Sequence, residues 1–171
     1  AAHIEGMSEQ TWTHLDRTAQ RNYLLQYVHD HQPELWDPTD PIKFQKTAEG
    51  IKTSNEIIAN LKFLVEEALE LDEASSLGFY TALHTPIDTL YGIDGFFEYE
   101  GIRITLDATL RIQKIQGGAG LEKADALLSP KDIEREGGLE ELAKKIARAI
   151  RFELQKRAAA AQKESPSRKV A

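Results

Sequence analysis

The chain has 171 residues and is acidic, with 28 Asp and Glu against 21 Lys and Arg and a formal net charge of −7. Its apolar fraction of 41% and charged fraction of 29% are typical of a globular protein and exclude a collagen-like or wholly disordered chain. The sequence has no cysteine, which excludes disulfides, thiolate zinc sites and cysteine nucleophiles. A metal ion would therefore be held by oxygen ligands or histidine, which favours Mg²⁺, Mn²⁺ or Ca²⁺. The negative charge argues against a protein that coats nucleic acid non-specifically.

The two ends of the chain are predicted to lie outside a single folded domain. Residues 1–6 read AAHIEG and resemble a protease-site linker, which places the native start at Met7. Residues 162–171 are polar, contain Pro166 and are predicted to form a flexible tail. The intervening residues 7–161 are expected to form one domain. The sequence shows neither a long apolar run nor a signal peptide, so we expect a cytoplasmic location.

The first half of the chain is predicted to be helical. Residues 8–32 carry apolar side chains near helical spacing. The stretch that begins at Pro33, PELWDPTDPIKF, is predicted to be a loop because its prolines interrupt helices. Residues 44–75 carry a second apolar stripe and are predicted to be helical, with a division near Gly50 or the pair Thr53-Ser54.

The strongest secondary-structure pattern lies in the second half, after a predicted loop at residues 84–86. Six apolar side chains alternate with polar ones from Ile102 to Ile112, which indicates a β-strand with one apolar face. The turn Tyr99-Glu100-Gly101 joins this strand to the preceding segment, so a β-hairpin is predicted over residues 92–112.

The remaining elements complete the predicted fold. A short strand is expected at residues 124–128 and a final amphipathic helix at residues 139–160. The order is then helix, helix, hairpin, short strand and helix. This order predicts an α+β fold, in which helices pack on a small mixed β-sheet that contains a central hairpin.

Two aspartates face each other across the predicted hairpin. With the turn centred on Glu100 and Gly101, cross-strand partners have residue numbers that sum to about 201, which pairs Asp94 with Asp107. Directly opposed side chains have Cβ atoms about 4.5–5.5 Å apart, and two carboxylates at that distance repel each other. A divalent cation or a shared proton between them would offset the repulsion. The alternative is a solvated strand face, with Asp94 as a turn or bulge residue before Gly95.

This arrangement resembles the PD-(D/E)XK nuclease superfamily over roughly residues 55–155. The resemblance implies a restriction-endonuclease-like fold and hydrolysis of phosphodiester bonds in nucleic acid with Mg²⁺ or Mn²⁺ as cofactor. It further implies that Asp94 and Asp107 bind the metal, and that the preceding helix adds an acid, with Glu66, Glu67 and Glu70 as candidates. The residues that carry the resemblance are Gly92-Ile93-Asp94 and Leu106-Asp107-Ala108-Thr109.

One position departs from the pattern of the superfamily. Thr109 stands where the family has a lysine, and a threonine hydroxyl cannot supply a positive charge. Arg111 and Lys114 are the candidates to replace that lysine in the catalytic set, Arg111 because strand alternation places it on the same face as Asp107. Arg103 also lies on that face, four residues before Asp107.

Other readings of the sequence stay open. The run EEALE at residues 66–70 is similar to the Mg²⁺-binding EExxE run of all-α nucleotide pyrophosphohydrolases, but it lacks a second acidic motif, so a solvated helix face is favoured. The basic residues of the last helix either contact phosphates or form a solvated face balanced by nearby glutamates. The missing lysine and the acidic balance also fit a non-catalytic binding or assembly module, for which a homodimer is one form.

Overall fold

A computed structural model describes residues 8–35, 48–72, 74–75, 77–83, 85–108 and 124–164. These residues form an α+β fold in which helices cover both faces of a four-stranded mixed sheet. The helices are α1 (Glu9–His14), α2 (Arg17–Leu35), α3 (Ala48–Leu69), α4 (Pro86–Tyr91), α5 (Pro130–Glu134) and α6 (Gly138–Glu164). The strands are β1 (Gly78–Thr81), β2 (Gly95–Tyr99), β3 (Ile102–Ala108) and β4 (Ala126–Leu128).

The hairpin of β2 and β3 forms the centre of the sheet. The strand order is β1-β2-β3-β4, with β1, β2 and β3 antiparallel in turn and β4 parallel to β3. The hairpin turns through Glu100 and Gly101, which have positive φ angles of 49° and 76° and so match the twist that a two-residue hairpin loop requires. Gly95 faces Leu106 across the hairpin, so the predicted register is confirmed.

One face of the sheet packs on α3 and α6. The apolar residues of β3 that alternate along the strand, Ile102, Ile104 and Leu106, are buried on this side. The amphipathic stripes of α3 and α6 supply the other half of this layer, which confirms the predicted period-two pattern of β3 and the predicted apolar stripes of these helices. The helix residues of the layer include Leu61, Val65, Leu142, Ile146 and Ile150.

The second face of the sheet is also covered. Leu24 and Val28 of α2 pack with Ile87 of α4 against Phe96 of β2. Thr105, which shares its strand face with Asp107, is fully buried. The strand face that carries the polar residues of β3 is therefore covered at Thr105, whereas Arg103 and Asp107 on the same face are half-buried.

The first predicted helix is interrupted. Residues 8–32 form two helices because Asp16 starts a new one: its Oδ1 accepts a hydrogen bond of 2.7 Å from the amide of Ala19. The predicted loop at Pro33 is also wrong at its start, since α2 continues to Leu35. A proline in the last turn removes only the one hydrogen bond that its missing N–H would make.

Several boundaries also differ from those predicted. The helix α3 is continuous from Ala48, without the expected division, and it ends at Leu69. The strand β1 and the helices α4 and α5 were not predicted, since each has six residues or fewer. Proline stands at the first position of both helices, where its fixed φ favours a helix start. The last helix extends to Glu164, so residues 162–164 of the predicted tail are helical.

Among the described helices, none is both long and apolar enough to cross a membrane.

Candidate functional site

Asp94 lies beside Asp107 at the end of the hairpin that is distant from the turn. The amide of Asp94 donates a hydrogen bond of 2.9 Å to the carbonyl oxygen of Leu106, and its carbonyl accepts one of 2.8 Å from the amide of Ala82. Asp94 therefore continues the ladder on both sides, although regular β2 begins at Gly95. Extending the observed register by one residue pairs Asp94 with Asp107, as the sequence predicts.

The backbone around Asp94 is fixed by two glycines. Gly92 ends α4 in the left-handed conformation, with φ 66°, so the chain leaves the helix within one residue. Ile93 then anchors the chain in the core with 1% exposure. A Cβ atom on Gly95 would lie 2.6 Å from Cζ of Phe79 and 2.8 Å from the carbonyl oxygen of Tyr80. Glycine at position 95 thus permits β1 to approach closely, and this keeps Asp94 at the sheet end.

The environment of Asp94 disfavours its charged form. Burial is the largest cause that raises the pKa of Asp94, to about 7. Hydrogen bonding and repulsion by the neighbouring carboxyl group of Asp107 raise it further, as does the charge of Asp88. The amide of Ala108 acts in the opposite direction, because it donates a hydrogen bond of 2.7 Å to Oδ2 of Asp94. A hydrogen bond between two carboxyl groups requires a proton on one of them.

Asp107 contributes an unsatisfied oxygen to this pair. Its Oδ1 atom is buried, and no N–H or hydroxyl group within the described ranges donates a hydrogen bond to it, which leaves a proton shared with Asp94 as the remaining donor. A buried carboxylate oxygen without a donor is costly, so a proton or a cation at this position would stabilise the pair. Carboxylates are the ligands that Mg²⁺ prefers, and one or two of them are sufficient when water and substrate phosphates complete the shell. The donor set of Asp94 and Asp107 fits such an ion.

The predicted glutamate ligands lie at the C-terminal end of α3. The side chains of Glu67 and Glu70 are exposed, and Glu66 forms an ion pair of 2.6 Å with Lys62. This helix packs on the sheet face opposite to that of Asp107. Across the described part of the chain, no three or more His, Asp or Glu side chains converge to hold a metal. A ligand role for Glu67 or Glu70 stays a prediction.

Of the residues predicted to lie near the acid pair in strand β3 or after it, only Arg103 is described by the structure. Thr109, Arg111 and Lys114 lie outside the described residues. The guanidinium of Arg103 donates hydrogen bonds of 2.9 Å to Glu98 and 2.8 Å to Gln26. These partners hold Arg103 toward the turn end of the hairpin, away from the acid pair.

A polar network that the sequence did not predict adjoins the pair. The hydroxyl of Thr105 donates a hydrogen bond of 2.9 Å to Oδ2 of Asp125 and accepts one of 2.9 Å from Nη2 of Arg21. The amides of Thr105 and Asp125 add two reciprocal bonds of 2.9 Å. The network ties α2 and the start of β4 to β3, two residues from Asp107. No local pattern could reveal it, because its members are 20 to 104 residues apart in sequence.

No protein-family model, curated protein or solved structure matches this chain. The resemblance to the PD-(D/E)XK superfamily therefore stays a hypothesis. It depends on the order of the elements and on the pairing of Asp94 with Asp107, and any function must be argued from this geometry.

Proposed function

We propose that the chain is a metal-dependent nuclease that hydrolyses phosphodiester bonds in nucleic acid, with Asp94 and Asp107 as ligands of Mg²⁺ or Mn²⁺. The observation that carries the proposal is the juxtaposition of the two carboxyl groups, in which the buried Oδ1 of Asp107 has no N–H or hydroxyl donor among the described residues. Helices on both faces of a mixed sheet with a central hairpin support the further proposal of a restriction-endonuclease-like fold.

The chain's own residues prepare the site in three ways. The amide of Ala108 orients one carboxylate oxygen of Asp94, which leaves the other side of the pair for a cation. When bound, a divalent ion offsets phosphate charge and lowers the pKa of a bound water. Asp94 must lose its proton to become a ligand, so binding releases a proton and strengthens as the pH rises through about 7.

The lysine that the superfamily uses would be replaced from the segment after β3. Arg111 or Lys114 would offset the charge of the phosphate, since Thr109 cannot. Glu67 and Glu70 are left out of the proposed metal shell, because α3 packs on the sheet face opposite to that of Asp107.

A cleavage assay tests the proposal. Single-stranded, duplex and branched DNA are incubated with the purified chain in Mg²⁺, in Mn²⁺ and in EDTA. We expect cleavage with either metal and none in EDTA, and a loss of at least about 100-fold in Asp107→Asn. Asp72→Asn is the matched control, since Asp72 is exposed and outside the pair. Absence of cleavage with both metals, or full activity in Asp107→Asn, would refute the proposal.

The second candidate is a non-catalytic binding or assembly module with the same fold. The threonine at position 109 favours it, because the superfamily's lysine is missing. This candidate predicts that neither metal supports cleavage and that divalent ions leave the melting temperature unchanged, since only an ion bound to the folded state raises it. Light scattering would show whether such a module is a homodimer.

A further inference from the structure

The outward face of α6 is a strongly basic surface on an acidic chain. From Lys144 to Arg157 the helix carries six cations and a single carboxylate, that of Glu153, whereas the whole chain has a net charge of −7. All six cations are exposed, and five of them lie within an arc of about 140° around the helix axis, opposite the buried stripe. This surface is named the basic face, and it consists of Lys144, Lys145, Arg148, Arg151 and Lys156.

Few cations of the basic face form ion pairs, although Glu140 and Glu141 precede Lys144 and Lys145 by one helix turn. Within the described part of the chain, no carboxylate lies at salt-bridge distance from Lys144, Lys145 or Arg148. Lys156 has one acidic neighbour, Glu153, at 3.5 Å. Like charges that are three or four residues apart on a helix destabilise it by a few tenths of a kcal/mol per pair. The helix therefore keeps unfavourable pairs that an anionic partner would relieve.

Two ordinary explanations of surface cations do not account for Lys144, Lys145 and Arg148, whereas Arg151 also donates a hydrogen bond to the carbonyl oxygen of Ala68 in α3. The helix dipole favours cations in the last turn, but Lys144 and Lys145 lie in the first third of α6. A face that serves only solubility usually mixes both signs of charge. The first turn of α6 shows such mixing, where Glu141 pairs with Arg135 at 2.5 Å.

An exposed aromatic ring lies within the basic face. Phe152 is 59% exposed, and Nζ of Lys156 lies 5.4 Å from its ring centroid. Aromatic rings among cations are the platforms on which bases of single-stranded nucleic acid stack. A protein interface would require an apolar core of several side chains, and Phe152 is the one large apolar side chain that α6 exposes among the described residues. The surface therefore fits nucleic acid better than an acidic protein.

We propose that the basic face of α6 binds the phosphate backbone of nucleic acid at a surface separate from the acid pair. The choice of nucleic acid as the partner rests on the proposed nuclease function. The helix packs on the sheet face opposite to that of Asp107, so its outward side does not adjoin the pair. Its cations span about 18 Å, which matches roughly five nucleotide steps of a duplex. The basic face would hold substrate and so lower KM while leaving kcat unchanged.

Binding to fluorescein-labelled single-stranded and duplex DNA in EDTA tests the proposal, because no metal-dependent cleavage occurs there. We expect the double variant Lys145→Gln/Arg148→Gln to bind about tenfold more weakly at low salt. The slope of log affinity against log salt should fall by between about one and two for the two lost contacts. Lys131→Gln removes an exposed cation from the acidic surroundings of α5, outside the basic face, and should bind like the wild type.

Phe152→Ala provides a second, uncharged variant. It should weaken binding to single-stranded DNA more than to duplex DNA, with an unchanged salt slope, because stacking does not release counterions. Circular dichroism melts of all variants check that the fold is retained.

Four results would overturn the proposal: no binding at low salt, no effect of Lys145→Gln/Arg148→Gln, an equal effect of the α5 control, or equal displacement of DNA by poly-L-glutamate. The last would assign the surface to an acidic protein. Binding through α6 without cleavage would support this proposal and contradict the nuclease. Cleavage by Lys145→Gln/Arg148→Gln with the KM of the wild type would support the nuclease and contradict this proposal.

Discussion

The amide of Ala108 donates a hydrogen bond of 2.7 Å to Oδ2 of Asp94, so the strand that carries one acid of the pair also holds the carboxyl group of the other. The bond fixes the geometry of Asp94, while burial and Asp107 disfavour its charge. The site is thus ordered before any cation binds. The negative charge of the two carboxyl groups is the part that no neighbouring cation among the described residues offsets. The predictions below test these features separately.

The stability of the metal-free protein should depend on pH through Asp94. Its pKa is about 7 in the folded state against an ordinary 3.8, so the folded state binds the proton more tightly than the unfolded state. The stabilisation is complete below about pH 4 and is lost as the pH rises through about 7. Because the carboxyl group is partly open to solvent, we expect a loss of roughly 1–2 kcal/mol rather than the full linkage value.

Urea unfolding in EDTA at pH 5 and pH 8 measures this loss. Asp94→Asn should remove most of the pH dependence, whereas Asp72→Asn should retain it. An equal dependence in wild type and Asp94→Asn would show that another group is responsible.

The close approach of β1 to Gly95 should make this position intolerant of any side chain. Gly95→Ala places a Cβ atom 2.6 Å from Cζ of Phe79 and should cost about 2–3 kcal/mol of unfolding free energy. Gly137→Ala is the control, since it has a positive φ of 74° but no atom within 4 Å of the new Cβ, and should cost about 1 kcal/mol. Denaturant melts compare the two, and a smaller cost at position 95 would contradict the close approach.

The hydroxyl of Thr105 should contribute to stability through Arg21 and Asp125. Thr105→Val keeps the shape of the side chain but leaves Arg21 and Asp125 without the hydroxyl group. We expect it to lower the free energy of unfolding by about 1–3 kcal/mol. Thr89→Val serves as the control because its hydroxyl is exposed and bonds only within its own helix turn. Its effect should stay within about 0.5 kcal/mol. Similar effects of the two variants in urea unfolding would mean that the network is not stabilising.

The hairpin and the acid pair could be predicted because the signals that determine them are local. Strict alternation along β3 determines which side chains face the core, and the turn at Glu100 and Gly101 determines the register. Once the register is known, the pairing of Asp94 with Asp107 follows by counting. The amphipathic stripe of α6 is similarly local, and its helix was predicted within a few residues.

Other features could not be predicted because they depend on distant partners. The strand β1 has four residues and is defined by its pairing with β2 rather than by any period of its own. The burial of Thr105 involves Arg21, 84 residues away, so no local pattern could decide whether the polar face of β3 is solvated. Asp16 divides α1 from α2 by a single capping bond, which a continuous apolar pattern conceals.

Calorimetric titration of Mn²⁺ into the purified chain at pH 8 tests the central claim most directly. Wild type should bind the ion with proton release, and Asp94→Asn and Asp107→Asn should each lose that binding, while Asp72→Asn retains it. A metal site formed by the two aspartates would be contradicted by no binding to the wild type. It would also be contradicted if Asp94→Asn and Asp107→Asn bound Mn²⁺ as tightly as the wild type.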